Sequence, residues 1–325
     1  MDTVTLPSDW TLRMYSPDMR RDWDAFVDAS RNSTFLFRRE YLEYHADRFA
    51  DHSLLAFKRG SLRALLPANI TSDGTLHSHQ GLTYGGWILP QAHFDCADMI
   101  LLFREWLACC RAEGIRKVDY KPLPWIYARR PSQEDLYALF RYGATLTHTL
   151  ISTTVDLQEN PGFNTMRRRQ LRKASDVGAV YEELVDTAEF MALVSACLHE
   201  RYDASPVHTP DEMRRLREEF PENIRMFGAR LGGVLQAGVM IYDTPTVAHC
   251  QYIASTPLAR ELNLLTPLFH KLITGWWAHK RFFDFGTSNE DGCRFLNDSL
   301  LRQKASMGGS GVAYQRFLFS TDVNL

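Results

Sequence analysis

Hydrophobic and polar positions fall into the same succession twice along the chain. In the first half, Leu54-Leu55-Ala56-Phe57 and Leu62-Arg63-Ala64-Leu65-Leu66 flank Lys58-Arg59-Gly60-Ser61, a pattern that predicts two strands joined by a tight glycine turn. The second half repeats it from Ile224 to Ile241 around Gly232-Gly233, where glycine supplies positive φ. A histidine-bearing strand follows each hairpin (77–84 and 249–254), and then a long amphipathic helix (95–113 and 260–279). Short apolar strands come next, 118–120 and 282–285, each followed by a helix (133–142 and 293–305) and a closing strand (144–156 and 311–319). Further helices are predicted upstream of the hairpins, at 38–49 in the first half and at 187–201 and 209–220 in the second. Thr209-Pro210-Asp211-Glu212 gives the last of these a capping threonine, a proline at the first helical position and acids in the first turn.

The alternating stretch that ends at Leu157 gives way at Gln158-Glu159-Asn160-Pro161-Gly162 to a basic, helical pattern. The expected organisation is therefore two domains, 1–158 and 159–325, the second opening with a basic helix. The expected fold class is α/β, with a mixed sheet built from one unit present in two copies.

Composition agrees with two large cores, because 45% of the 325 residues are hydrophobic and domains run to roughly 150 residues. Lys+Arg number 37 against 39 Asp+Glu, a net charge of -2, which removes the simplest case for a general nucleic-acid binder. Met1 to Pro7 lack the basic and apolar regions of a secretory signal, and no apolar run approaches the roughly 18 residues of a membrane span. A cytoplasmic protein is expected. Cys96, Cys109, Cys110, Cys197, Cys250 and Cys293 form no C-x-x-C pair, and neither His77/His79 nor His249/Cys250 has a second ligand pair, so no metal site is expected. P-loop, dinucleotide-binding and nucleophile-elbow motifs are all missing from the sequence, which demotes NTP hydrolysis, hydride transfer and serine esterase chemistry.

Helical periodicity picks out charged residues on faces that should be apolar. Lys304 falls among Cys293, Leu296, Leu300 and Met307, while Arg302 points away. Such a lysine either snorkels at the helix end or meets a phosphate or carboxylate. Arg167 lies among Phe163, Met166, Leu171 and Ala174, where it either pairs with a buried carboxylate or forks around a phosphate. Arg168, Arg169 and Arg172 face outward, as a solvated face or as a contact for RNA or a nucleotide phosphate. In the loop Asp284 to Gly292, Glu290 is placed to accept a proton from an attacking amine and Asn289 to contact substrate; alternatively Asn289 to Asp291 only cap the next helix. The glycine-rich stretch Gln80 to Trp87 offers Gln80 and Tyr84 to a substrate, although aromatic core explains Tyr84 equally well.

The repeated order of elements resembles the GNAT acyltransferase unit, and two units in tandem resemble the FemAB-like group over nearly the whole chain. Three motifs carry the resemblance: the basic helix Arg167 to Ala174 followed by Gly178-Ala179-Val180-Tyr181-Glu182; His249-Cys250-Gln251-Tyr252-Ile253-Ala254-Ser255 on the central strand; and Phe283-Asp284-Phe285-Gly286 through Asn297, then Leu300 to Lys304 and Gly308-Gly309. The resemblance implies an N-acyltransferase that moves an acetyl or aminoacyl group from acyl-CoA or aminoacyl-tRNA to a primary amine of a cell-envelope or polysaccharide precursor. The acceptor would be a small amine or a lipid- or nucleotide-linked sugar, and no tightly bound cofactor is implied. Direct attack would be served by Glu290, His249 or water as base, with Lys304, Arg167 and Tyr252 around the substrates. CoA-using relatives carry R/Q-x-x-G-x-G/A after the central strand; here Arg260-Glu261-Leu262-Asn263-Leu264-Leu265 keeps the arginine and loses both small residues. Arg260 and Asn263 are the residues of that stretch that would face a CoA donor. The competing class is a non-catalytic RNA- or nucleotide-binding protein on a degenerate GNAT fold, using the Arg168/Arg169/Arg172 face.

Overall fold

The computed structural model describes residues 9–322, so the stretch from Met1 to Pro7 lies outside the described residues. Two compact units share the chain, one formed by residues up to 150 together with those from 313 onward, the other by 151–312. The division thus falls inside the long strand Thr145–Asp156 rather than after residue 158, and the closing strand Ser310–Ser320 contributes most of its length to the first unit. Among the described residues no helix is long and apolar enough to cross a membrane, and no three His, Cys, Asp or Glu side chains converge as a metal cluster.

In the first unit the strands Thr75–His77 and Lys117–Tyr120 run parallel, in a register that ends at His77 opposite Asp119. Lys117–Tyr120 pairs on its other side, antiparallel, with residues 317–320. The predicted first hairpin forms as Leu54–Lys58 and Ser61–Leu66, but it joins Trp10–Met14 in a separate three-stranded sheet. The helix expected over 38–49 is confined to Arg39–Glu43, because the rings of Tyr44, His45 and Phe49 turn to stack with one another and with His79. The strand expected over 77–84 stops at His77, since His79 takes φ 67° and the chain doubles back. By contrast Cys96–Ala112 is a full helix: Asp95 caps it, and Met99, Leu102, Phe103, Trp106, Leu107 and Cys110 repeat at helical spacing on its buried side. That stripe packs on Leu76, Val118, Tyr120 and Phe319.

The second unit aligns its strands in the order 151–156 (the end of Thr145–Asp156), Phe282–Thr287, Val247–Ser255, Val234–Asp243, Ile224–Leu231 and Val180–Leu184. Gly232 and Gly233, with φ 59° and 80°, turn the hairpin, a conformation the twist of paired strands favours. Helix Thr187–Tyr202 settles directly on these strands. A β-carbon on Gly238 would lie 2.8 Å from the Phe190 ring, so only glycine admits that approach. Val155, Ala248, Cys250, Phe283 and Phe285 form one core with Leu268, Phe269, Leu272 and Trp277. Two predicted helices are shorter than expected. The 260–279 element divides into Pro257–Glu261 and Leu265–Lys271, separated by Asn263 at φ 56°, and ends in the π-turn Leu272–Trp276. The 293–305 element begins only at Asp298, because Asp291, Gly292 and Cys293 all take positive φ.

Candidate active site

The central strand Val247–Ser255 pairs in parallel with Phe282–Thr287 over only three positions, ending at His249 opposite Asp284. Beyond that point the two strands run on without further pairing to each other. On its other edge the central strand lies antiparallel to Val234–Asp243, with a slip: Met240 faces Tyr252 and Ile241 faces Cys250, which leaves Gln251 as an extra residue. This bulge resets the alternation of side chains. Ala248, Cys250 and Ile253 thus all reach the same core, and His249 and Tyr252 share the opposite face.

His249 Nδ1 lies 2.7 Å from Asp284 Oδ2, and Asp284 is wholly buried. The other carboxylate oxygen accepts hydrogen bonds from Ser152 Oγ at 2.5 Å and Thr154 Oγ1 at 2.8 Å. Burial alone would raise the Asp284 carboxyl, but the hydrogen bond and charge of His249 and the two hydroxyls outweigh it and hold the group at about 2. Asp284 therefore stays an anion that fixes one ring nitrogen of His249. Sequence reasoning proposed His249 but did not single out Asp284, Ser152 or Thr154. An aspartate inside the run Phe282-Phe283-Asp284-Phe285 was the available signal, because a carboxylate on a buried strand requires partners.

Lys304 is 5% exposed, as the periodicity predicted, although Cys293 and Leu296 are not on its helix. Leu296 instead pairs with Asn289 in a two-residue ladder. The Lys304 ammonium neither snorkels nor meets a carboxylate; it donates to the carbonyls of Gly286 at 2.9 Å and Thr287 at 2.7 Å. Burial brings its pKa down to about 8, with Cys250 and Asp284 acting in the opposite sense. It thereby fixes the strand that leaves the central strand just beyond Asp284.

The remaining candidates in this unit hold the surrounding loops. Asn289 Oδ1 accepts from the Ile151 N–H at 2.7 Å, and Glu290 Oε1 accepts from Asn297 Nδ2 at 2.7 Å. Asn297, rather than Asn289 to Asp291, caps the following helix through the Leu300 N–H. Arg167 is 7% exposed, and its partners are neutral: Ser306 Oγ at 3.0 Å, Thr266 Oγ1 at 3.1 Å and the Gln303 carbonyl at 3.5 Å. The expected buried carboxylate is not among them, and burial lowers the guanidinium pKa. Tyr252 Oη lies 2.8 Å from His208 Nδ1, a partner that sequence reasoning missed, and burial raises the phenol. Arg260 donates to the Ser255 carbonyl and to Glu200, and Asn263 Nδ2 to the Glu261 carbonyl.

In the first unit, Tyr84 is core: its ring meets Phe37 and Tyr127, and its hydroxyl donates to Thr34 Oγ1. Gln80 accepts from Asn69 Nδ2 through its side chain and donates to Asn69 Oδ1 through its backbone.

The order of strands in the second unit, with a bulged central strand parting from its parallel neighbour, has a family counterpart. Residues 163–292 match the model of the acetyltransferase (GNAT) domain. The match lies within the second unit. The solved structure of FemX is similar over 95% of this chain and 97% of its own at 11% identity, with a TM-score of 0.68. L-PGS from Bacillus licheniformis is similar over 96% and 94% at 12% identity, TM-score 0.61. A tandem GNAT protein from the clavulanic acid biosynthesis pathway is similar over 97% and 100% at 11% identity, TM-score 0.55. At these identities the likeness is one of fold, an α/β arrangement of tandem GNAT units. No curated protein matches the chain by sequence.

Proposed function

We propose that the second unit is an N-acyltransferase that moves an acetyl or aminoacyl group, from acyl-CoA or aminoacyl-tRNA, to a primary amine of a cell-envelope or polysaccharide precursor. One observation carries this reading: a histidine held by a buried, hydroxyl-supported aspartate stands where the two parallel strands of a GNAT domain part. An amine attacks only when neutral, so a base must take its proton. His249, whose Nδ1 lies against Asp284, would take that proton, and the carboxylate would stabilise the imidazolium that forms. The amine nitrogen bonds to the acyl carbon, the bond from that carbon to the leaving sulfur or oxygen breaks, and the proton held by His249 passes to the leaving group. Backbone N–H groups near the Gln251 bulge would hold the carbonyl oxygen as it gains charge. Lys304 has a third N–H besides the two it gives to carbonyls, and this one would face an anionic group of donor or acceptor. Glu290 remains the alternative base in this reading, and Tyr252 lines the acceptor's side of the strand.

Replacing His249 with Ala should lower turnover by about 10²–10⁴-fold, the range for a lost general base, and should also cost stability, because buried Asp284 loses a partner that keeps it ionised. Turnover is read as free thiol or deacylated tRNA with amine acceptors. Unchanged turnover would remove the reading. A second reading, an RNA- or nucleotide-binding protein without catalysis, is favoured by the outer face of helix Thr165–Ser175. Arg168, Arg169, Arg172 and Lys173 are exposed there, and among the described residues none has a carboxylate within ion-pair distance. Affinity that falls steeply with salt, with no product from any donor, would select it.

A further inference from the structure

GNAT domains typically take acetyl-CoA, whose diphosphate needs a cluster of uncommitted backbone N–H groups or an uncommitted cation. The turn after the central strand is where the resemblance places that cluster, and in this chain most of its donors are already spent. The Ala259 N–H goes to Thr256 Oγ1 at 3.1 Å. The N–H groups of Arg260, Leu262, Asn263, Leu264 and Thr266 go to the carbonyls of Thr256, Leu258, Arg260, Ala259 and Asn263 at 2.9–3.2 Å. Pro257 and Pro267 have no N–H to give. Asn263 sits at φ 56°, so the chain folds back on itself and closes the turn. The one cation present, Arg260, is held by the Glu200 carboxylate at 2.6 Å and by the Ser255 carbonyl at 2.7 Å. Glu200 also adds a negative charge where a diphosphate would have to come.

Resting on the acyltransferase reading, we infer that the second unit does not grip its acyl donor by a diphosphate at this turn. A diphosphate could bind only by breaking several of these hydrogen bonds and the Arg260–Glu200 pair, and each lost bond subtracts from its affinity.

The test compares acetyl-CoA with S-acetyl-pantetheine, which keeps the thioester and its arm but lacks the diphosphate and nucleoside. The expected result is kcat/KM values within about threefold of each other, and no rise in melting temperature with millimolar ADP. A preference for acetyl-CoA of about 30-fold or more that disappears in Arg260→Ala would overturn the inference. If neither thioester is turned over, the acyl-CoA branch of the proposed function fails separately, and binding decides the present point. Stabilisation of the wild type by CoA that is lost in Arg260→Ala would then refute it, and absence of stabilisation upholds it.

Discussion

Each unit contains one pair of parallel strands that ends on a histidine opposite an aspartate, His77 with Asp119 and His249 with Asp284, and the two pairs have opposite surroundings. In the first unit Asp119 is held by Arg316, whose Nε donates at 2.6 Å and whose Nη2 donates to the other oxygen. Burial pushes the Asp119 carboxyl up, but Arg316 and His77 hold it well below the usual carboxylate range. The strands there stay joined past the pair: the Ser78 N–H reaches the Asp119 carbonyl at 2.9 Å, the Lys121 N–H reaches Ser78 Oγ at 2.7 Å, and the Gly85 N–H reaches the Lys121 carbonyl at 2.8 Å. In the second unit the hydroxyls of Ser152 and Thr154 take the place of a guanidinium at the aspartate, and the strands open. A guanidinium on the carboxylate spends its charge on structure, whereas hydroxyls leave it to act on the imidazole. Under the proposed acyltransferase reading, this comparison points to the second unit for proton transfer.

The strongest way to break this comparison is a pair of substitutions. His249→Ala should cost the full turnover effect given above, while His77→Ala should leave turnover within about twofold, since the role of a structural histidine is read in stability. Equal losses would dissolve the distinction between units. Asp119→Ala comes next. Breaking a buried ion pair costs up to about 3–5 kcal/mol, but the Arg316 side chain is 41% exposed, so a loss of about 2 kcal/mol in denaturant unfolding is expected. Gly238→Ala should destabilise the second unit by about 1–3 kcal/mol through the Phe190 ring, and a neutral result would refute the close seating of that helix.

A finer effect comes from Lys304. Its folded pKa, about 8, is below the ordinary lysine value, so between the two the unfolded chain binds more protons and stability rises with pH. Relative to Lys304→Met, the wild type should gain stability on going from pH 7 to pH 10. A flat difference between the two would show that burial does not burden the ammonium. Smallest of all should be the effect of Arg168→Ala with Arg172→Ala on amine acylation from a small thioester, which is expected to stay within about twofold because both side chains face solvent.

Much of the fold could be read from local pattern. Cys96–Ala112 and Pro210–Glu219 announce themselves by caps and by apolar spacing, and the Gly232-Gly233 hairpin by its turn. Long-range features could not be read that way. Asn263 and Asp291-Gly292 are residue types that tolerate left-handed backbone, but helical spacing on either side masked them, and those positions cut two predicted helices short. Of the candidate site, the burial of Lys304 was legible, because it interrupts an apolar pattern. Asp284 interrupts one equally clearly, but its partners Ser152 and Thr154 lie some 130 positions away. Arg167 was singled out correctly as buried, while its neutral partners depend on helix packing that no periodicity encodes.

The strand that ends at Ser320 supplies Arg316 and Phe319 to the first unit. During synthesis, the earlier half of the chain must therefore wait, with Asp119 lacking Arg316 and one edge of Lys117–Tyr120 bare, until residues 316–320 have been made. The unit that begins first is finished last, so severing the chain between the units would part the first from its final strand.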